Sequence, residues 1–136
     1  MSLQGAIEWI QDQALSISGV GYAPDNLSDL SPTTLWVMVY PGSGEVRSAS
    51  AGWGYDLDNI EARIYTIRGD LNEAMQRLEG YPHNLARKIQ ADLTLGSNVA
   101  TYDGRIQYQF FADVWNDVPV IGYRLTINGV KSLTTF

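Results

Sequence analysis

The sequence contains no cysteine and only one histidine, and these two scarcities remove most sites of covalent and metal chemistry. Without cysteine there is no disulfide scaffold, no thiol nucleophile and no thiolate zinc site. The lone histidine, His83, has no second imidazole to share a metal ion, and no carboxylate stands in a position that marks a triad. We therefore expect no metal, no cofactor and no enzymatic activity, and we interpret His83 as a surface or capping residue.

Positive charge and long apolar runs are also scarce. Nine Lys and Arg stand against fifteen Asp and Glu, which leaves a formal charge of -6, and Arg87-Lys88 is the only adjacent basic pair. Because proteins that hold phosphates need clustered cations, we do not expect nucleic acid as an ordinary surface ligand. The longest apolar run, Leu35 to Tyr40, has six residues and the N-terminus has no basic n-region, so we expect neither a signal peptide nor a membrane span.

What the sequence does contain is enough apolar material for a core. Hydrophobic residues make up 45% of its 136 residues and charged residues only 18%, a balance that excludes intrinsic disorder. A chain of this length buries roughly two-thirds of the surface that its unfolded form exposes. We therefore expect one folded domain spanning residues 1–136.

Glycine-rich and acidic stretches do not complete a binding motif. Three G-x-G fragments lack the third glycine of a dinucleotide-binding loop. The acidic run 56–61 has Ile60 where a calcium loop needs a ligand and Glu61 where it needs glycine. Paired carboxylates for acid-base catalysis stay open as an alternative, because spacing in sequence does not fix spacing in a fold.

Aromatic residues near the C-terminus could form a base-stacking platform or pack into the protein. A stacking platform needs basic residues beside it, and the aromatic segment is flanked by Asp113 and Asp117. We therefore favour packing in the core and on the sheet. The residues concerned are Tyr108, Phe110, Phe111, Trp115 and Tyr123.

Hydrophobic periodicity predicts helices at the N-terminus and in the middle of the chain. Apolar residues follow a 3.6-residue period at Leu3, Ile7, Ile10, Ala14 and Ile17. Asp70, three residues before Glu73, resembles a capping box that opens a helix ended by Gly80. Pro82 then begins a second helix, which we expect to continue through Leu93 to Gly96. These two helices form a predicted helical hairpin.

Four segments are predicted to be strands. Residues 35–40 read as a strand buried on both faces near the centre of the sheet, and residues 22–34 as a surface connection before it. Residues 59–68 alternate, with Ile60, Ala62, Ile64 and Thr66 on one face and Glu61, Arg63, Tyr65 and Ile67 on the other. Residues 106–115 and 121–127 form a hairpin turned at Asn116-Asp117. This order of elements predicts an α+β fold, with a mainly antiparallel sheet of about four strands packed on one side by the N-terminal helix and the helical hairpin.

Between the first two of these strands, residues 41–56 contain four glycines and show little periodicity. We interpret this segment as a long Gly-rich loop, and a loop of this length inside a compact domain is usually functional or disordered. Its candidate contact residues are Gly42, Gly44, Arg47, Trp53 and Tyr55.

Several features together carry a resemblance to a known family. They are the strand ending at Arg68 to Leu71 (Arg-Gly-Asp-Leu), the short helices divided at Pro82, the stop at residues 94–99, and the closing hairpin with residues 121–125 and 130–131. In this arrangement the chain resembles the phage tail terminator family, the tail-completion proteins of long-tailed bacteriophages. The resemblance covers nearly the whole chain.

The resemblance implies a structural virion protein without catalytic residues. Such proteins form a hexameric ring that caps the tail tube, ends its polymerisation and presents a surface to the head-completion or connector protein. The implied location is the virion tail or neck, with assembly in the host cytoplasm. DNA would pass through the ring without specific binding, and no membrane would be involved.

A ring needs two different complementary patches on each subunit. Our hypothesis is that the segment 41–56, including Arg47, Trp53 and Tyr55, contacts a neighbouring subunit or the tail tube. Two alternatives remain: another head-tail joining protein, such as a stopper or adaptor, or a monomeric ligand-binding module in which Trp53 and Tyr55 form a lid over a pocket.

Overall fold

The computed structural model describes residues 3–21, 34–48, 54–99, 101–102, 104–115 and 117–131. In chain order the elements are α1 (Leu3–Leu15), β1 (Val20–Gly21), β2 (Leu35–Ser48), β3 (Gly54–Ile67), α2 (Leu71–Leu78), α3 (Tyr81–Gln90), β4 (Ile106–Trp115) and β5 (Val118–Lys131). The connection predicted at residues 22–34 lies, apart from Thr34, outside the described residues.

The strands form one five-stranded sheet in the order β1-β2-β3-β5-β4. Every pairing is antiparallel except that of β1 with β2, which joins Val20 to Leu35 and Gly21 to Trp36. The predicted α+β class and mainly antiparallel sheet are therefore confirmed. The fifth strand is the two-residue β1, which is too short to produce a period in the sequence.

The strand predicted near the centre of the sheet, residues 35–40, is the beginning of β2, an interior strand that lies between β1 and the central strand β3. Leu35, Trp36 and Val37 are buried, so this part of β2 is covered on both faces as expected. Met38 to Tyr40 are only partly buried. The continuous apolar run thus indicates burial on both faces at the start of β2 only.

All three helices contribute to a core on one face of the sheet. The predicted period of α1 is confirmed, since Ile7, Ile10 and Ala14 are buried and Leu3 is partly buried; Ile17, also buried, lies just after the end of the helix. The strand residues that meet the helices include Val37 in β2, Ile64 in β3 and Leu125 in β5. We call this side of the sheet the helix face and the other side the open face.

The predicted alternation of β3 is confirmed. Ile60, Ala62, Ile64 and Thr66 are all buried on the helix face. Thr66 is the polar member of this set, and its hydroxyl donates a 3.2 Å hydrogen bond to the carbonyl oxygen of Thr34. The Arg77 side chain donates to the Ile67 carbonyl oxygen at 2.9 Å and to the Thr66 hydroxyl at 3.3 Å, which ties α2 to β3.

The helical hairpin begins as predicted. The Asp70 side chain accepts a 3.1 Å hydrogen bond from the backbone N–H of Glu73, which satisfies one of the unpaired donors of the first turn of α2. Gly80 separates the helices with a φ of 83°, a left-handed conformation that glycine adopts without strain.

The second helix ends earlier than predicted. α3 stops at Gln90, and Leu93, which the period assigned to its buried face, is 47% exposed. The cause is Asp92, whose carboxylate accepts hydrogen bonds from the backbone N–H groups of Thr94 at 2.9 Å and Gly96 at 3.1 Å. These bonds close a loop in place of the next helical turn, as acidic side chains often do.

This loop is strained and tightly packed. Leu95 and Ser97 have φ values of 50° and 64°, and Leu95 is nevertheless fully buried. Gly96, between them, lies against the ring of Trp9 so closely that a Cβ atom would overlap it. The Asp92 hydrogen bonds hold the backbone in this conformation.

The pH dependence of stability should report the Asp92 loop. Hydrogen bonds from the Thr94 hydroxyl, the Thr94 amide and the Gly96 amide lower the pKa of Asp92. A carboxylate with a lowered pKa stabilises the fold above its unfolded pKa, and this contribution is lost as pH falls through the folded value. Asp92→Asn should therefore lower the melting temperature at pH 7, with a difference from wild type that shrinks below about pH 4.

Glu79→Gln is the matched control, because it removes one negative charge from an exposed residue at the end of α2. Its melting temperature should stay close to that of wild type at both pH values. An Asp92→Asn difference of equal size at pH 3 and pH 7 would contradict the role assigned to the carboxylate.

Candidate functional site

The segment predicted to be a long Gly-rich loop is instead largely a β-hairpin, so that prediction was wrong. β2 and β3 continue through residues 41–48 and 54–58, with Gly44 paired to Asp58 and Ser48 paired to Gly54. We call residues 41–48 and 54–58 the hairpin arm. The glycines concealed the strand because they interrupt its alternation of side chains, although the backbone pairing continues past them.

Two β-bulges lie side by side at the base of the hairpin arm. On one side of Asn59, β2 carries an extra residue between Pro41 and Gly44; on the other, β5 carries one between Ile127 and Val130. Bulges bend a strand and increase its twist, and they are common next to functional sites. Because the two bulges lie at one level across three neighbouring strands, we expect the sheet to bend there.

Asn59 connects the two bulges. Its side-chain Nδ2 donates a 3.2 Å hydrogen bond to the Ser43 hydroxyl, and its Oδ1 accepts one of 3.3 Å from the backbone N–H of Gly129. Gly129 has a φ of 67°, and Gly42 lies so close to the carbonyl oxygen of Asn59 that a Cβ atom would overlap it. Glycine is therefore required at position 42 by close backbone approach.

The remaining predicted contact residues fall along the arm or outside the described residues. Arg47 and Tyr55 are register partners on the two strands, and Gly44 lies at the end of the bulge. Trp53 lies outside the described residues. The structure thus assigns Gly42 and Gly44 to the base of the arm and the Arg47–Tyr55 pair towards its tip.

The tip of the arm extends beyond the rest of the sheet. The last pair that joins β3 to β5 is Leu57 with Lys131, so in the described part of the chain residues 46–48 and 54–56 form a ribbon of two strands. At about 3.3 Å per residue this ribbon reaches about 10 Å past the third strand. It presents two backbone edges to the surroundings.

An aromatic cluster lies on one end of the open face. Trp36 stacks on Tyr65 with ring centroids 5.6 Å apart, and Phe111 and Trp115 meet Tyr65 edge to face at 5.3 and 5.1 Å. Trp36, Tyr65 and Val120 are buried within this cluster. Burial raises the pKa of Tyr65, and a hydrogen bond with the Tyr40 hydroxyl raises it further, so its hydroxyl stays protonated at neutral pH.

An arginine pair lies beside the aromatic cluster. Arg63 donates to the Glu61 carboxylate at 3.1 Å, and its guanidinium carbon is 5.4 Å from the ring centroid of Tyr40. Arg124 is the cross-strand partner of Arg63 and donates a 2.6 Å hydrogen bond to the Gln109 side chain. Sequence analysis missed this pair, although the predicted alternation had already placed Arg63 opposite the buried face.

A second surface lies between the helical hairpin and the last two strands. A groove of about 360 Å³ is lined by residues that include Met75, His83, Tyr108 and Tyr123. The interpretation of His83 as a surface residue is confirmed: it is exposed, and its ring centroid is 5.1 Å from that of Tyr108. None of the residues lining the groove comes from the hairpin arm, so the described residues do not support a lid over this groove.

The aromatic residues were expected to pack in the core and on the sheet, and they do so to different extents. Phe111 and Trp115 are partly buried against the aromatic cluster of the open face. Tyr108 and Phe110, on the edge strand, pack against the ring of Tyr123 at 6.0 and 5.7 Å, but they are still 55% and 41% exposed.

Within the described ranges, no three His, Asp or Glu side chains come together in a group that could hold a metal ion. No helix in the same part of the chain is long and apolar enough to cross a membrane. No protein-family model matches the sequence, and no curated protein is similar enough to count as a relative.

Gly42→Ala should loosen the hairpin arm, because the new methyl group would overlap the Asn59 carbonyl. We expect a loss of about 1–3 kcal/mol in the free energy of unfolding, measured by urea denaturation. Hydrogen exchange should be faster at the amides of residues 44–48 and 54–58 than in wild type.

Gly21→Ala is the control, because a Cβ atom there would be 3.9 Å from the Leu35 carbonyl oxygen, an ordinary van der Waals contact. Its arm amides should exchange as in wild type. Equal stability and equal arm exchange in Gly42→Ala and wild type would show that the close approach has no energetic consequence.

Proposed function

We propose that this protein is a structural component of a long-tailed phage particle, a tail terminator that forms a hexameric ring, caps the tail tube, ends its polymerisation and joins the tail to the head-completion protein. The observation that supports this proposal most directly is the hairpin arm. A two-stranded ribbon that extends about 10 Å past the sheet can reach a neighbouring molecule while the α+β body remains in place. Its fixed bend at Asn59 suits a contact that must repeat with the same geometry around a ring.

In this proposal the arm is one of the two different patches that a closed ring requires. Arg47 and Tyr55, paired near its tip, are the proposed contact residues for the next subunit or the tube. Gly42 and Gly44 act indirectly, by setting the direction in which the arm leaves the body.

The charge of the chain fits passage of DNA through the ring. Six copies, each at -6, carry a formal charge of -36 together. Three of the described arginines are held by partners within the protein: Arg77 is bonded to β3, Arg63 to Glu61 and Arg124 to Gln109. A lumen with few free cations would avoid the phosphate contacts that retain duplex DNA.

Shortening the arm should abolish ring formation without unfolding the protein. Replacing residues 45–57 by Asn-Gly would join Gly44 to Asp58 through a two-residue hairpin turn. The variant should keep its circular dichroism spectrum and a cooperative melt. It should form no rings in negative-stain images and should fail to limit the length of tubes polymerised from the tube protein of the same genome.

The matched control places the same dipeptide in the other hairpin. Asp117→Gly turns the sequence Asn116-Asp117 into Asn-Gly and leaves the arm intact, and a glycine suits the φ of 65° observed for Asp117. This control should cap tubes as wild type does. Rings formed by the arm-shortened variant, or tubes that it still caps, would refute the role of the arm.

A gel-shift measurement tests the charge argument separately. We expect no binding of duplex DNA at micromolar protein and physiological salt, because fifteen Asp and Glu outnumber nine Lys and Arg and the net charge of -6 opposes the phosphates. Binding at micromolar concentration would contradict passage of DNA without retention. Repeating the assay with Arg63→Gln and Arg124→Gln would then show whether the arginine pair of the open face is responsible.

A different neck protein, such as a stopper or adaptor, would share the ring and the arm contact. The tube assay separates the two roles, since a terminator ends polymerisation of the tube and a stopper does not. The groove lined by Met75, His83, Tyr108 and Tyr123 is the observation that favours a ligand-binding module instead. That role predicts a ligand-induced rise in melting temperature and no rings.

A further inference from the structure

In the described part of the chain no strand pairs with the outer edge of β4, and along this edge the backbone N–H of Val114 is taken by the Asp113 carboxylate at 2.8 Å. β4 is the last strand in the sheet order, and its ten residues pair with β5 without a register shift, from Ile106–Ile127 to Trp115–Val118. Natural edge strands are commonly blocked by lysine, proline, a bulge or short length. β4 contains no lysine or proline, has no bulge and is longer than the usual strand.

The side chains of β4 are also unusually apolar for an exposed edge. Tyr108, Phe110 and Val114 are 55%, 41% and 61% exposed. Tyr108 and Phe110 lie on the helix face, where their cross-strand partners are Leu125 and Tyr123. An exposed apolar strip beside an unpaired strand edge is typical of a surface that another strand covers.

We propose that β4 pairs antiparallel with β4 of a second copy of this chain, about a two-fold axis at Gln109, so that two five-stranded sheets become one continuous sheet. The charges of the strand select this partner and this register. Arg105 and Asp113 are both exposed and lie at equal distances in sequence on either side of Gln109. When Gln109 faces Gln109 of the second copy, each Arg105 faces an Asp113, which gives two opposite-charge pairs.

The same register pairs the exposed aromatic residues. Tyr108 faces Phe110 of the second copy on the helix face, and by symmetry this pair also forms twice. Directly opposed residues in an antiparallel ladder point to the same side of the sheet, so the helices of both copies remain on one face. Shifting the register by two residues separates Arg105 from Asp113 and also breaks the Tyr108–Phe110 match.

This inference goes beyond the proposed ring. A β4–β4 contact uses the same patch on both copies, whereas a ring contact uses two different patches. The hairpin arm belongs to β2 and β3, and β4 lies at the opposite edge of the sheet from β1 and β2. The dimer contact therefore does not use the arm, and we assign it to the free protein before it meets the tube.

Single cysteines test the register, because the chain has no cysteine of its own. Gln109→Cys should form a disulfide-linked dimer rapidly under mild oxidation, since directly opposed Cα atoms in a ladder are about 5 Å apart. Gln107→Cys is the matched control: its side chain lies on the same open face and is also exposed. Two such cysteines would be about 13 Å apart in the proposed register and should not cross-link.

Charge reversal tests the contact without cross-linking. By sedimentation equilibrium, Arg105→Asp and Asp113→Arg should each weaken the dimer by about tenfold, because each replaces two attractive pairs by two repulsive ones. The double variant restores opposite charges and should return the dissociation constant to within a factor of about three of wild type. Circular dichroism confirms that these surface variants are folded.

Several results would overturn the proposal. They are a wild-type monomer at every concentration reached, equal cross-linking of Gln109→Cys and Gln107→Cys, or a double variant as weak as the two single variants combined. The arm-shortened variant separates this inference from the proposed function. It should still dimerise through β4, so loss of tube capping with the dimer intact concerns the arm alone.

Discussion

The hydrogen bonds of the Asn59 side chain join the two bulges at the base of the hairpin arm, and they thereby connect the arm to the helix-covered part of the sheet. On one side Asn59 meets the bulge of β2 at Ser43, and on the other it meets the bulge of β5 at Gly129. Below this level the helices cover one face of the sheet. Above it, β5 accompanies the hairpin arm only as far as Leu57, and in the described residues β2 and β3 continue as a two-stranded ribbon. An amide can do this because it offers both a donor and an acceptor, one for each neighbouring strand.

The helices pack on one face of the sheet, so apolar side chains on the other face must be buried in another way. Aromatic residues bury them. Trp36 and Tyr65 are buried on the open face by Phe111 and Trp115 rather than by a helix. Large rings from adjacent strands can cover one another in this way, because they bury much surface with few rotatable bonds. The described residues thus bury part of the open face without a helix.

Much of the fold could be predicted from the sequence, because it depends on local patterns. The period of α1 and the alternation of β3 show which side of each element meets the core, and the cap at Asp70 shows where α2 begins.

The hairpin arm could not be predicted in this way. Position 42 requires glycine because the backbone carbonyl of Asn59, on the neighbouring strand, lies too close for a Cβ atom. The pattern of residues within one segment does not show which backbone atoms of another strand lie beside it. The early end of α3 has a similar cause, since the Asp92 carboxylate captures amides that the helical period would have used. The exposure of Tyr108 and Phe110 follows from strand order, which no local pattern reports.

The contact between Trp9 and Gly96 has a consequence for how the chain reaches this structure. Trp9 belongs to the first helix, whereas Gly96 lies in the strained loop that follows α3, so the ring can settle only after chain segments far apart in sequence have come together. Contacts between residues far apart in sequence slow folding. The chain loses the entropy of the intervening loop before the favourable energy of the contact is gained. We therefore expect the contact between Trp9 and Gly96 to form late in folding, after the segments between them have been brought together.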